Sequence, residues 1–117
     1  MTRPARVIID LQAAVHNLAF VQKAAPKSKI LAIIKADAYG HGVVRMANML
    51  AEADAFGVAS IEEAVVLREA KVKRPIVLLE GFFEVNDLEA VREYNLELVI
   101  HTKEQVEMLR GCKVDPL

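Results

Sequence analysis

Three side chains of types that do chemistry lie within seven residues of one another: Lys35, Tyr39 and His41. Lys35 directly follows the apolar run Ile30–Ile34. Tyr39 and His41 sit in the stretch behind it, Ala36-Asp37-Ala38-Tyr39-Gly40-His41-Gly42. Five consecutive apolar residues read as a strand buried on both faces. Such a strand delivers an amine to its carboxyl end, where parallel α/β folds bind their ligands. Apolar surroundings lower an amine's pKa and enlarge its neutral fraction, the nucleophile that Schiff-base formation with an aldehyde requires. Each residue also has a plain structural use. A strand-end lysine can simply reach water, a tyrosine can be a rim aromatic, and two glycines can permit a tight loop. His41 reads as a loop or helix-start residue rather than a metal ligand, because no second ligand lies four residues on.

Other chemistry is poorly represented. His16 and His101 have no paired cysteine or acidic neighbour that suggests catalysis. Ser60 has no flanking glycines, so it forms no nucleophile elbow. Neither a P-loop nor a dinucleotide fingerprint follows any apolar run. Cys112 is the only cysteine, which excludes an intrachain disulfide and a cysteine-rich metal site. The formal charge is -1, with no basic stripe that would suggest nucleic acid. No stretch approaches the ~20 apolar residues of a membrane helix. Met1-Thr2-Arg3-Pro4 has no apolar signal core behind it, so the expected location is cytoplasmic.

The elements that must position Lys35 alternate. Arg6 to Ile9 is expected to be a first strand, and Asp10 a helix N-cap ahead of Leu11, Val15, Leu18 and Val21. Ala25-Pro26 ends that helix. After the Ile30–Ile34 strand come a helix with Val43, Met46, Ala47 and Leu50 on one face, then a strand over Ala55–Ala59. Ser60 with Glu63 has capping-box spacing. Ile76–Leu79 is another strand, and Asn86 with Glu89 repeats the cap pattern. A last strand spans Leu96–Ile100, and Thr102 with Gln105 caps the final helix before the stop at Gly111. Strand starts therefore recur about every 20 to 25 residues, which implies βαβ crossovers and a parallel sheet. The spacing places a fifth strand near residue 116, so the 117-residue chain is expected to be cut as a further repeat begins.

Lys35-Ala36-Asp37-Ala38-Tyr39-Gly40-His41-Gly42, after an apolar strand, closely resembles the pyridoxal-phosphate attachment motif of the bacterial alanine racemases. Asp10-Leu11 with His16-Asn17-Leu18, Phe56-Gly57-Val58-Ala59 with Glu62-Glu63-Ala64, and Leu78-Leu79-Glu80-Gly81-Phe82-Phe83 resemble the same family. The likeness covers essentially the whole chain; the family more often has asparagine where Asp37 stands. It implies an α/β fold whose parallel βα repeats form the first half of a TIM-type (β/α)8 barrel, with residues 1–117 the N-terminal portion and a C-terminal β domain absent. It implies pyridoxal 5'-phosphate as a Schiff base on Lys35, with Tyr39 bonding the phosphate. Ile33, two residues before Lys35 on the same strand face, is the expected ring-packing contact. It also implies a homodimer that interconverts L- and D-alanine for peptidoglycan. The second base, a partner-subunit tyrosine, and the cofactor-contacting arginines fall outside these residues, so this stretch alone is expected to be inactive. Two alternatives stand beside this: a half-barrel that binds pyridoxal phosphate without turnover, and another amino-acid enzyme on the same kind of barrel.

Overall fold

Short apolar runs separated by capped amphipathic segments give four strands and six helical segments in the computed structural model, which describes residues 4–112. In chain order these are α1 (Leu11–Ala24), β1 (Leu31–Ile33), α2 (Lys35–Tyr39), α3 (Val43–Met49), β2 (Ala55–Val58) and α4 (Ile61–Glu69). They continue as β3 (Ile76–Leu78), α5 (Asp87–Glu93), β4 (Glu97–Leu98) and α6 (Lys103–Arg110). The strands form one sheet in the order β1-β2-β3-β4, every pair parallel. Each consecutive strand lies beside its predecessor, so the helices between them are the crossovers that a parallel sheet needs.

Side chains alternate across the sheet, and the described core lies on one face of it. Phe56, Val58, Ile76, Leu78 and Leu96 are fully buried against Ala47 of α3, Ala64 and Leu67 of α4, and Leu88 and Val91 of α5. The opposite row runs Ile33–Gly57–Val77–Glu97 in register. On that face Leu31 is 43% and Ile33 37% exposed. The expectation of a first site strand buried on both faces is therefore corrected. β1 spans three residues rather than five, and its Leu31 and Ile33 are partly open to solvent.

Two further expectations change. Residues 6–9 form no strand; Val7 and Ile8 are largely exposed and no described strand lies beside them to supply a hydrogen-bonding ladder. Asn86 makes no side-chain cap. The neighbouring Asp87 Oδ2 accepts from the N–H groups of Phe83 at 2.9 Å and Glu84 at 3.0 Å, which ties down the loop ahead of α5. The caps at Asp10 and Thr102 form as read. Asp10 Oδ1 accepts from the Ala13 N–H at 3.1 Å, and Thr102 and Gln105 make a complete capping box. The strand expected near residue 116 lies outside the described residues.

At the amino end of β3 and β4, Arg68 gathers the loops. Its Nε donates to the Tyr94 carbonyl and Nη1 to those of Val72 and Arg74, all at 2.8 Å, while Nη2 donates to Asn95 at 3.2 Å. Burial pushes its guanidinium below the usual arginine value. No helix among the described residues is long and apolar enough to cross a membrane.

Candidate active site

The stretch after β1 is not an open loop. Ala36, Asp37, Ala38 and Tyr39 all have φ between +52° and +56°, so α2 is wound left-handed over four successive non-glycine residues. Left-handed winding places Cβ too near the next carbonyl and costs roughly 1–2 kcal/mol per residue. Such strain persists only where the surroundings over-determine it, and it concentrates at functional sites. Gly40, at φ +89°, ends the turn without that cost.

The restraints on the turn are specific. Inside it, the Ala38 N–H donates to the Ile34 carbonyl at 2.9 Å and the Gly40 N–H to Ala36 at 3.1 Å. The Gly42 N–H donates to the Asp37 carbonyl at 2.9 Å. The His41 Nδ1–H donates to the Ala38 carbonyl at 2.9 Å, which fixes the ring as a brace. Asp37 Oδ1 accepts from the Val43 N–H at 2.8 Å and so caps α3, whose own N-cap residue Gly42 has no side chain to do it. Ala38 is buried under the turn. From α4, the Glu63 carboxylate reaches across: Oε2 accepts from the Asp37 N–H at 3.3 Å and Oε1 from the Ala59 N–H at 3.0 Å.

Lys35 stands at the first position of this turn, directly beyond Ile34, and is half-buried. The one salt bridge among the described residues joins Arg110 to Glu107, so Lys35 is in none. Tyr39 is 60% exposed. Ile33 and Tyr39 line one cleft of about 400 Å³, together with Ile8, Ile9, Asp10 and His41. Lys35 is not among the walls of that cleft. Two of the three expected site residues are thus brought to one cavity, and the third is set beside it by the strained turn.

Beyond the neighbouring strands, Gln105 ties the β3 and β4 loops. Its Nε2 donates to the Phe82 carbonyl at 3.0 Å, and its Oε1 accepts from the His101 and Thr102 N–H groups. His101 Nε2–H donates to the Leu79 carbonyl at 2.8 Å, a structural contact. Phe82 is core, whereas Phe83 is exposed. Among the described residues no cluster of His, Cys, Asp or Glu could hold a metal ion.

Residues 9–116 match the family model described as "Alanine racemase, N-terminal domain". The chain belongs to the alanine racemase family. It is 45% identical over 113 residues to an alanine racemase of Nitrosospira multiformis, covering 97% of this chain and 32% of that protein. Among solved structures, it superposes on an alanine racemase from Acinetobacter baumannii with a TM-score of 0.85 and 41% identity, over 88% of this chain and 29% of that one. A histidine racemase from Leuconostoc mesenteroides gives a TM-score of 0.76 and 31% identity, over 86% of this chain and 27% of that one. The chain thus spans about a third of the length of the relatives it matches, and its parallel sheet with alternating helices is the corresponding part of their barrel.

Glu63 is the contributor that the sequence reading misplaced. Its position three residues after Ser60 was visible, and its N–H does donate to Ser60 Oγ at 3.3 Å. The carboxylate, however, does not return to the Ser60 N–H to close a box. It bridges Ala59 and the turn after Lys35, a contact 26 residues distant in sequence. Only the β1–β2 pairing brings those loops together.

Proposed function

We propose that this chain carries the cofactor-bearing lysine of a pyridoxal-phosphate-dependent alanine racemase. The supporting observation is that the family match runs through a left-handed turn with Lys35 at its start and Tyr39 at its end. In this reading Lys35 supplies the attachment amine, and once displaced it holds or removes a proton at the substrate α-carbon from one face. The Tyr39 hydroxyl donates to the cofactor phosphate, and Ile33 packs against its ring. The cofactor, when bound, supplies the conjugated system that spreads carbanion charge. The residues present suit that group: an amine at a strand's carboxyl end, beside a cleft with apolar walls and an exposed phenol. Racemisation also needs a proton delivered from the opposite face, which one lysine on one side cannot readily do. A second base from elsewhere in the assembly belongs to the proposal, as do alanine as substrate, a homodimer and a cytoplasmic location. Residues 1–117 are then the amino-terminal portion of the barrel domain.

Pyridoxal 5'-phosphate added to the intact protein and trapped by borohydride is expected to place its mass on Lys35, and to label nothing after Lys35→Ala. Trapping on another lysine refutes the assignment. The likeness to a histidine racemase gives substance to a second reading, a racemase of a different amino acid. Exchange of the α-hydrogen in deuterated water, faster for histidine than for alanine, is the outcome that favours it.

A further inference from the structure

We propose that Glu63 is a positioning residue for Lys35, acting through the backbone of the left-handed turn. This rests on the reading of Lys35 as the attachment amine. The first N–H groups of any helical turn have no acceptor within it. In α2 the Ala38 N–H finds Ile34, but the Asp37 N–H has nothing to bond inside the turn. Glu63 Oε2 fills that gap at 3.3 Å. The same carboxylate accepts from Ala59, at the end of β2, at 3.0 Å. One charged group thus pins the turn carrying Lys35 to the neighbouring strand, as a cap supplied from a different element.

The geometry is suited to this and not to a local cap. Ser60 already satisfies the start of α4 through the Glu63 N–H, so the carboxylate is not needed there. Lys35 lies two residues before the pinned N–H, and Tyr39 two residues after it. Releasing Asp37 frees a strained segment to relax toward right-handed or extended backbone, which rotates the lysine and the tyrosine away from one another. A carboxylate has two equivalent acceptors, and both are used. Glutamine keeps one acceptor and presents a donor where the second was, so one of the two backbone N–H groups loses its partner.

The test compares the intact protein with Glu63→Gln and Glu63→Ala. Limiting acetic anhydride, mapped by peptide mass, reads the reactivity of Lys35 against Lys23 and Lys103 without any cofactor. Titration with pyridoxal 5'-phosphate reads attachment. The expected result is a several-fold change in acylation at Lys35 alone. Alongside it, Kd for pyridoxal phosphate should rise roughly tenfold, the scale of one charge-assisted bond, with alanine worse than glutamine. Unchanged Lys35 reactivity and unchanged Kd in both variants overturn the proposal. So does a rise shared equally by Lys23 and Lys103, which would mean general loosening. If alanine fails to fold, the near-isosteric glutamine decides. If the parent does not take up pyridoxal phosphate, the attachment reading fails, and the acylation pattern still decides whether Glu63 sets Lys35.

Discussion

Replacing Gly81 with alanine should cost the fold about 2–7 kcal/mol, from its own backbone angle and from two neighbours. Gly81 has φ +72°, where a non-glycine residue is strained by roughly 1–2 kcal/mol. A Cβ there would lie 2.5 Å from the Val99 carbonyl oxygen and 2.8 Å from Gln105 Nε2. The first contact is backbone, which moves only with the strand end it belongs to; overpacking of that kind costs about 1–3 kcal/mol. The second drives Gln105 from the Phe82 carbonyl, leaving a buried acceptor unpaired at roughly 1–3 kcal/mol. Against these, alanine stiffens the unfolded chain and recovers about 0.4–1 kcal/mol. Urea unfolding with an unchanged slope is the measurement, so that a shifted midpoint reports stability alone. Combining Gly81→Ala with Gln105→Ala should cost less than the two singles added, because both break the same bond. A Gly81→Ala protein within about 0.5 kcal/mol of the parent would refute the reasoning, since surface changes stay in that range.

Gly57→Ala should behave differently. Its Cβ would lie 2.8 Å from Ile33 Cδ1 and 3.3 Å from Leu79 Cδ2, both ends of flexible side chains on the open face. Stability should stay within about 1 kcal/mol of the parent, the strand entropy gain offsetting the contact, while displaced Ile33 weakens pyridoxal-phosphate binding in an absorbance titration. Arg68→Met strands four carbonyls and should cost about 2–4 kcal/mol by urea unfolding. Burial lowers the Arg68 pKa, so its charge is penalised in the fold at every pH below that value, and relief comes only as pH rises through it. That window is far above neutrality, so the loss should be the same at about pH 5 and pH 9. Asp37→Asn retains the oxygen that accepts from Val43 and should be near neutral, whereas Asp37→Ala uncaps α3 at about 1 kcal/mol, read by thermal melting.

The alternation of strands and helices was legible because its signals are local. The Asp10 and Thr102 caps, the break at Ala25-Pro26 and the apolar runs at Ala55 and Ile76 each act within a few residues, and the observed elements follow them. What sequence could not supply was partnership. The run Ile30–Ile34 reads as doubly buried from composition, yet burial belongs to whatever packs on a face, and one face of β1 is open among the described residues. Arg6–Ile9 has strand composition, and among the described residues no strand lies beside it. Asn86 with Glu89 has cap spacing, yet the Asn86 side chain makes no cap bond, and the adjacent Asp87 carboxylate is taken up by the loop ahead of the helix.

The left-handed turn was illegible for a deeper reason. Ala36-Asp37-Ala38-Tyr39 contains no residue that favours φ > 0 strongly, and local propensity there points to a right-handed helix or a loop. The observed winding is held by contacts beyond local propensity: by Glu63 from α4, by the burial of Ala38, and by the Asp37 and His41 side chains bonding back to the backbone. Local rules are expected to fail where a fold spends stability on function. A right-handed turn would carry less backbone strain. What it would change is the direction in which Lys35 and Tyr39 leave the end of β1. The strain is therefore best explained as fixing that direction, and a variant that relieved it by rewinding the segment should be more stable and bind pyridoxal phosphate less well. Stability and attachment rising together in such a variant would remove the reason for the strain.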